Sequence, residues 1–133
     1  MTDLSARKLK QAQNDVNDDP AFRHLGNVDV KMGIRVGRAT YLISFEAFNC
    51  KGVRKISAKE TRDADFVIEM SADVWDRYIA GCQSGDGPNL AQLDSTDGVV
   101  KAADPRKKLE FLRYHMSLQL FFEAYARLEL SVA

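Results

Sequence analysis

Val28-Asp29-Val30-Lys31-Met32-Gly33-Ile34-Arg35-Val36 alternates apolar and non-apolar residues over its whole length. A period of two is that of an extended strand with one face buried and the other in water. Gly37-Arg38 follows, a Gly-X pair suited to a two-residue hairpin turn. Tyr41, Ile43, Phe45 and Ala47 then alternate with Thr40, Leu42, Ser44 and Glu46, so the partner strand has the same two-faced character. This pair fixes an antiparallel hairpin as the nucleus of the fold.

Working outward from the hairpin, residues 49–52 read as a turn and 53–58 as a third strand. Adjacent Arg54 and Lys55 break its alternation, which suggests a bulge there. Phe66, Ile68 and Met70 alternate with Val67 and Glu69, giving a fourth strand. Ser71 is placed to cap a helix over 72–80, with Asp73 near the positive end of its dipole and Val74, Trp75, Tyr78 and Ile79 at core spacing. Gly81 is its expected stop. Residues 84–88 are turn-rich, 89–93 make one helical turn, and 98–102 form a short fifth strand. Upstream, 3–16 reads as a mostly polar helix across a sheet edge, with Leu4, Leu9, Ala12 and Val16 able to pack. Asn17-Asp18-Asp19-Pro20 ends it. Strand runs flanked by helices predict an α+β fold: a five-stranded, largely antiparallel sheet covered on one face by helices.

Asp104-Pro105 is a capping residue followed by proline at the first helical position, and nothing interrupts the helix from Arg106 to about Leu128. Its first turns are ordinarily amphipathic. From Met116 to Leu130 the polar residues are Ser117, Gln119, Glu123, Arg127 and Glu129. Gln119, Glu123 and Arg127 stand four apart and make one narrow stripe. An arc of about 100° satisfies a single core, and this helix exceeds it. Burying one Phe or Leu side chain gains ~1.5–3 kcal/mol, so the surplus must be covered by something. It lines a ligand cavity, closes a homodimer, or is wrapped by the loop around 81–93.

The segment Ala64-Asp65-Phe66-Val67-Ile68-Glu69-Met70-Ser71-Ala72-Asp73-Val74-Trp75 resembles the sterol carrier protein 2 family, in which such a run leads from a central strand into a helix. The alternating hairpin before it is similar too, and the likeness extends over 28–79. The resemblance implies one domain over 1–133, five strands with helices on one face, and a hydrophobic tunnel that takes sterols, fatty acyl chains or other lipids. It implies no metal and no catalytic residues. Carried onto this chain, the tunnel-facing candidates are Phe45, Ile68, Met70, Trp75 and Ile79. The pattern of the long helix adds Phe111, Met116, Phe121 and Phe122, with His115 or Tyr114 beside them to orient a head group.

Composition narrows the alternatives. The 133 residues carry 19 Lys+Arg against 19 Asp+Glu, so no net field draws the chain to nucleic acid or an anionic surface. Cys50 and Cys82 lack metal-ligand spacing, no His-x-x-x-His pair occurs, and 85–87 is not a phosphate loop. The charged first ten residues do not read as a signal peptide, and no stretch reaches the ~20 apolar residues of a membrane span, so a cytoplasmic location is the expectation. The expected partner is an apolar small molecule with no cofactor. The alternatives are a small isomerase or dehydratase using His115 as base, and a homodimeric interaction module.

Overall fold

The structure is a computed structural model that describes residues 4–130. In chain order its elements are α1 (Ala6–Asn17), α2 (Pro20–His24), β1 (Val30–Val36), β2 (Ala39–Glu46), β3 (Asn49–Lys55), β4 (Phe66–Met70), α3 (Ala72–Ser84), α4 (Leu90–Asp97), β5 (Val100–Lys101) and α5 (Pro105–Leu130). A 3₁₀ turn at Ala58–Asp63 joins β3 to β4. Asp3, the expected start of the first helix, and the side chain of Glu129 lie outside the described residues.

The sheet runs in the order β3-β2-β1-β4-β5. The β1–β2, β2–β3 and β4–β5 pairs are antiparallel, and β1–β4 is parallel. The largely antiparallel α+β architecture expected from the alternating strands is therefore what forms. Asp65 fastens the parallel pair. Its N–H donates to the Lys31 carbonyl at 2.7 Å, and its carboxylate accepts the Lys31 N–H at 2.8 Å. The same carboxylate meets Lys107 Nζ of α5 at 2.9 Å. The acidic residue of the Ala64-Asp65 pair thus ties two central strands to the long helix.

Val28, Val30, Met32, Ile34 and Val36 are all buried on the helix-covered face, with Tyr41, Ile43 and Phe45 beside them. The opposite face is not uniformly wet. Leu42 and Val67 are buried there, flanking Gly33 in register. A Cβ on Gly33 would come within 2.9 Å of Val67 Cγ2, so the absent side chain lets this row close.

Several boundaries differ from the sequence reading. The β2–β3 turn falls at Ala47-Phe48 and β3 begins at Asn49, earlier than the expected turn at 49–52. Ala47 adopts φ 57°, its N–H donates to Asp29 Oδ1 at 3.0 Å, and its carbonyl accepts the Val28 N–H at 2.7 Å. These bonds to the β1 approach hold a left-handed conformation that alanine disfavours. The register shift leaves Lys51 as the extra residue, so the bulge lies there rather than at Arg54 and Lys55. Helix α3 passes through Gly81 to Ser84 and is capped by Gly85 at φ 81°. Gly81 instead permits close approach, since a Cβ there would sit 2.8 Å from Gly87 Cα. Residues 89–93 extend into α4, with a reciprocal cap between Asn89 and Gln92.

Helix α5 lies over the sheet, packed between α1 and α3. Asp104 caps its start, accepting the Lys107 N–H at 3.1 Å. In its second half Ser117, Leu118, Phe121, Phe122, Ala124, Tyr125 and Ala126 are all buried. Much of the apolar surplus read from the sequence is therefore sealed by the chain's own helices.

Candidate functional site

The outer side of α5 carries what the core does not absorb. Leu109, Leu112 and Met116 are 61%, 48% and 59% exposed, and Leu25 is 40% exposed, which is unusual for side chains of this size. A groove of about 700 Å³ opens on this side, floored by His115, Met116, Gln119, Leu120 and Glu123 of α5. Pro20, Ala21, His24 and Leu25 form one wall, and Asn89 stands at the other.

The wall is built by a five-residue helix. Asp19 caps it, accepting the Ala21 N–H at 2.9 Å, and Pro20 occupies its first turn. Phe22 points inward, fully buried with its ring 6.1 Å from that of Phe45. Residues 20, 21, 24 and 25 share the other face at helical spacing and so line the groove. At the far wall, the Gly81–Gly87 approach folds the α3–α4 connection back and sets Asn89 beside α5.

Gln119 organises the floor. Its Oε1 accepts from the Tyr78 hydroxyl at 2.7 Å and from the Leu90 N–H at 3.0 Å. Its Nε2 donates to Glu123 Oε2 at 3.1 Å and lies 3.6 Å from Cys82 Sγ. One amide thereby joins α3, α4 and α5 and aims the Glu123 carboxylate. Burial raises the Tyr78 hydroxyl well above its usual pKa and also raises the Cys82 thiol, so both stay protonated at neutral pH.

The sequence candidates divide into two groups. His115 and Met116 line the groove. Phe45, Ile68, Met70, Trp75, Ile79, Phe111, Phe121 and Phe122 are buried in one continuous core, and none of them lines it. Phe121 meets Phe45 and Phe122 edge to face at 5.8 and 5.5 Å, and Trp75 meets Phe122 and Tyr125 at 5.8 and 5.4 Å. Within this packing Trp75 Nε1 is buried with no hydrogen-bond partner among the described residues. No carboxylate is hydrogen-bonded to His115 among the described residues, and its ring lies 6.2 Å from Phe111. No cluster of three or more His, Cys, Asp or Glu suited to a metal occurs among the described residues.

Sequence reasoning missed the α2 wall. The signal was present: Asp19-Pro20 has the same form as Asp104-Pro105, which reads as a helix start. Gln119 and Glu123, read with Arg127 as one narrow polar stripe, are half-buried residues of the groove floor, while Arg127 is exposed.

No protein-family model matches the chain, and no curated protein matches it. Among solved structures it is similar to a conserved hypothetical protein from Thermus thermophilus that was suggested to be a sterol carrier protein. The TM-score is 0.65 at 15% identity, over 96% of this chain and 90% of that one. The two chains share a fold: a five-stranded α+β sheet under helices, closed by a long C-terminal helix. No helix among the described residues is long and apolar enough to cross a membrane.

Proposed function

We propose that the chain binds and carries an apolar, lipid-like molecule in the groove across α5. The observation carrying this reading is a concave surface with apolar side chains at Pro20, Ala21, Leu25, Met116 and Leu120 and a few convergent polar groups. That composition is typical of small-molecule sites, where desolvation drives binding and polar groups set orientation. Similarity to a suggested sterol carrier supports it.

Groove chemistry selects the head group. His24, His115 and Asn89 offer donors and acceptors, while Glu123 offers an acceptor that is anionic when ionised. A hydroxyl satisfies this set and a free carboxylate would meet Glu123 repulsively, so the ligand is a neutral, hydroxylated apolar molecule. The eight core residues serve as rigid backing to the helix in this reading. Ligand entry among them would require the rings to part and would bring Trp75 Nε1 a partner.

Thermal shift and native mass spectrometry with hexadecanol, cholesterol and palmitate test the proposal. Hexadecanol or cholesterol is expected to stabilise the protein more than palmitate at pH 8, and Met116→Asp to weaken that gain. Trp75 is the single tryptophan and fully buried, so its emission reports on the core. Unchanged emission on loading fits the groove; a shift relocates the ligand between sheet and helices. Absence of any stabilisation or retained lipid would sink the carrier reading.

A further inference from the structure

We propose that two copies of this chain pair through antiparallel α5 helices, the ridge of each closing over the mouth of the other's groove and leaving its floor to a ligand. This does not rest on the ligand reading. Leu109, Leu112 and Met116 recur at intervals of three and four, the spacing of a helix seam, on the side of α5 opposite its buried residues. The ridge Leu109–Leu112 adjoins the groove floored by Met116 and Leu120 on the same helix face. A convex apolar strip beside a concave one is self-complementary under a two-fold axis, because each copy offers what the other lacks.

Charge selects the direction. Arg106 lies beyond the ridge at one end, and Glu123 lies in the groove at the other. Neither Arg106 nor Arg113 has an acidic partner among the described residues. With the axis between Leu112 and Met116, Leu112 faces Met116 of the second copy, Leu109 faces Leu120, and Arg106 faces Glu123. These three pairs fall on successive turns of one antiparallel register. A parallel arrangement sets basic end on basic end and leaves both grooves open. In the antiparallel pair, the second copy's leucines lid the groove, which is otherwise open to water.

Sedimentation and light scattering over a concentration series test this directly. The expected mass is twice 14.9 kDa. Leu112→Glu should give folded monomers whose melt does not depend on concentration, losing only the stabilisation that pairing adds, the side chain being exposed in one copy. Arg106→Glu and Glu123→Arg should each weaken pairing by about tenfold, and the double variant should recover most of that loss. Monomers at every concentration, pairing that survives Leu112→Glu, or a double variant no better than its parents would overturn the proposal. Loading the Leu112→Glu monomer, in which no Arg106 faces Glu123, with hexadecanol and with palmitate reports on the ligand reading separately.

Discussion

The two halves of α5 are one continuous helix in two different environments. From Ser117 onward its inner faces are sealed by α1, α3 and the sheet, and Gln119, Leu120 and Glu123 alone of this stretch floor the groove. Before that, Leu109, Leu112 and Met116 face outward while Phe111 alone of the large apolar residues is fully buried. The second half is the more apolar, yet the first keeps three large apolar side chains in water, so what packs against each half matters as much as its content. A wide apolar arc announces that a helix needs partners and leaves their identity to the rest of the chain.

Truncation of ring packing in the sealed half should have the largest effect on stability. Phe122 is fully buried and meets Trp75, Tyr78 and Phe121 edge to face. Phe122→Ala should cost ~3–5 kcal/mol in denaturant unfolding, against less than ~0.5 for Leu112→Ala measured under monomeric conditions. Comparable losses at the two positions would erase the contrast.

Alkaline titration sharpens the same contrast. Burial pushes the Cys50 thiol up to about 12, and Tyr78 and Cys82 are raised as well. Above pH 9 the unfolded chain sheds thiol protons that the folded chain keeps. Stability should therefore fall as pH climbs from 9 towards 12, by up to ~1.4 kcal/mol per unit for each such group. Cys50→Ala should flatten that slope, and an unchanged slope would remove Cys50 as its source.

The smallest effect concerns the clasp at the end of α5. The Ser5 N–H donates to the Tyr125 hydroxyl at 3.1 Å, across 120 residues of sequence. Tyr125→Phe should cost ~1 kcal/mol and speed hydrogen exchange in α1 before it does so in β1. Equal acceleration in both elements would mean that α1 does not open on its own.

The fold was legible wherever one periodicity had one cause. Residues 28–36 and 66–70 declare their faces because the sheet has one covered side, and Asp104-Pro105 declares α5 through capping chemistry that needs no tertiary partner. Gly81 misled because a helix stop and a close backbone approach use the same residue; the left-handed cap is Gly85. The turn at Ala47 was hidden because it is held by the bond its N–H donates to distant Asp29. The groove was only half legible. His115 and Met116 stood out on the helix, but its walls come from residues 20–25 and Asn89, and separations of this kind carry no local signal.

The clasp between Ser5 and Tyr125 has a consequence for the order of folding. Helix α1 precedes α5 in the chain, and the clasp joins residues 120 positions apart. Until α5 docks, Leu9, Ala12 and Val16 rest chiefly on β3, and one side of α1 stays wet. Contacts of such long sequence separation close late, so the two helices should lock together in the last step of folding.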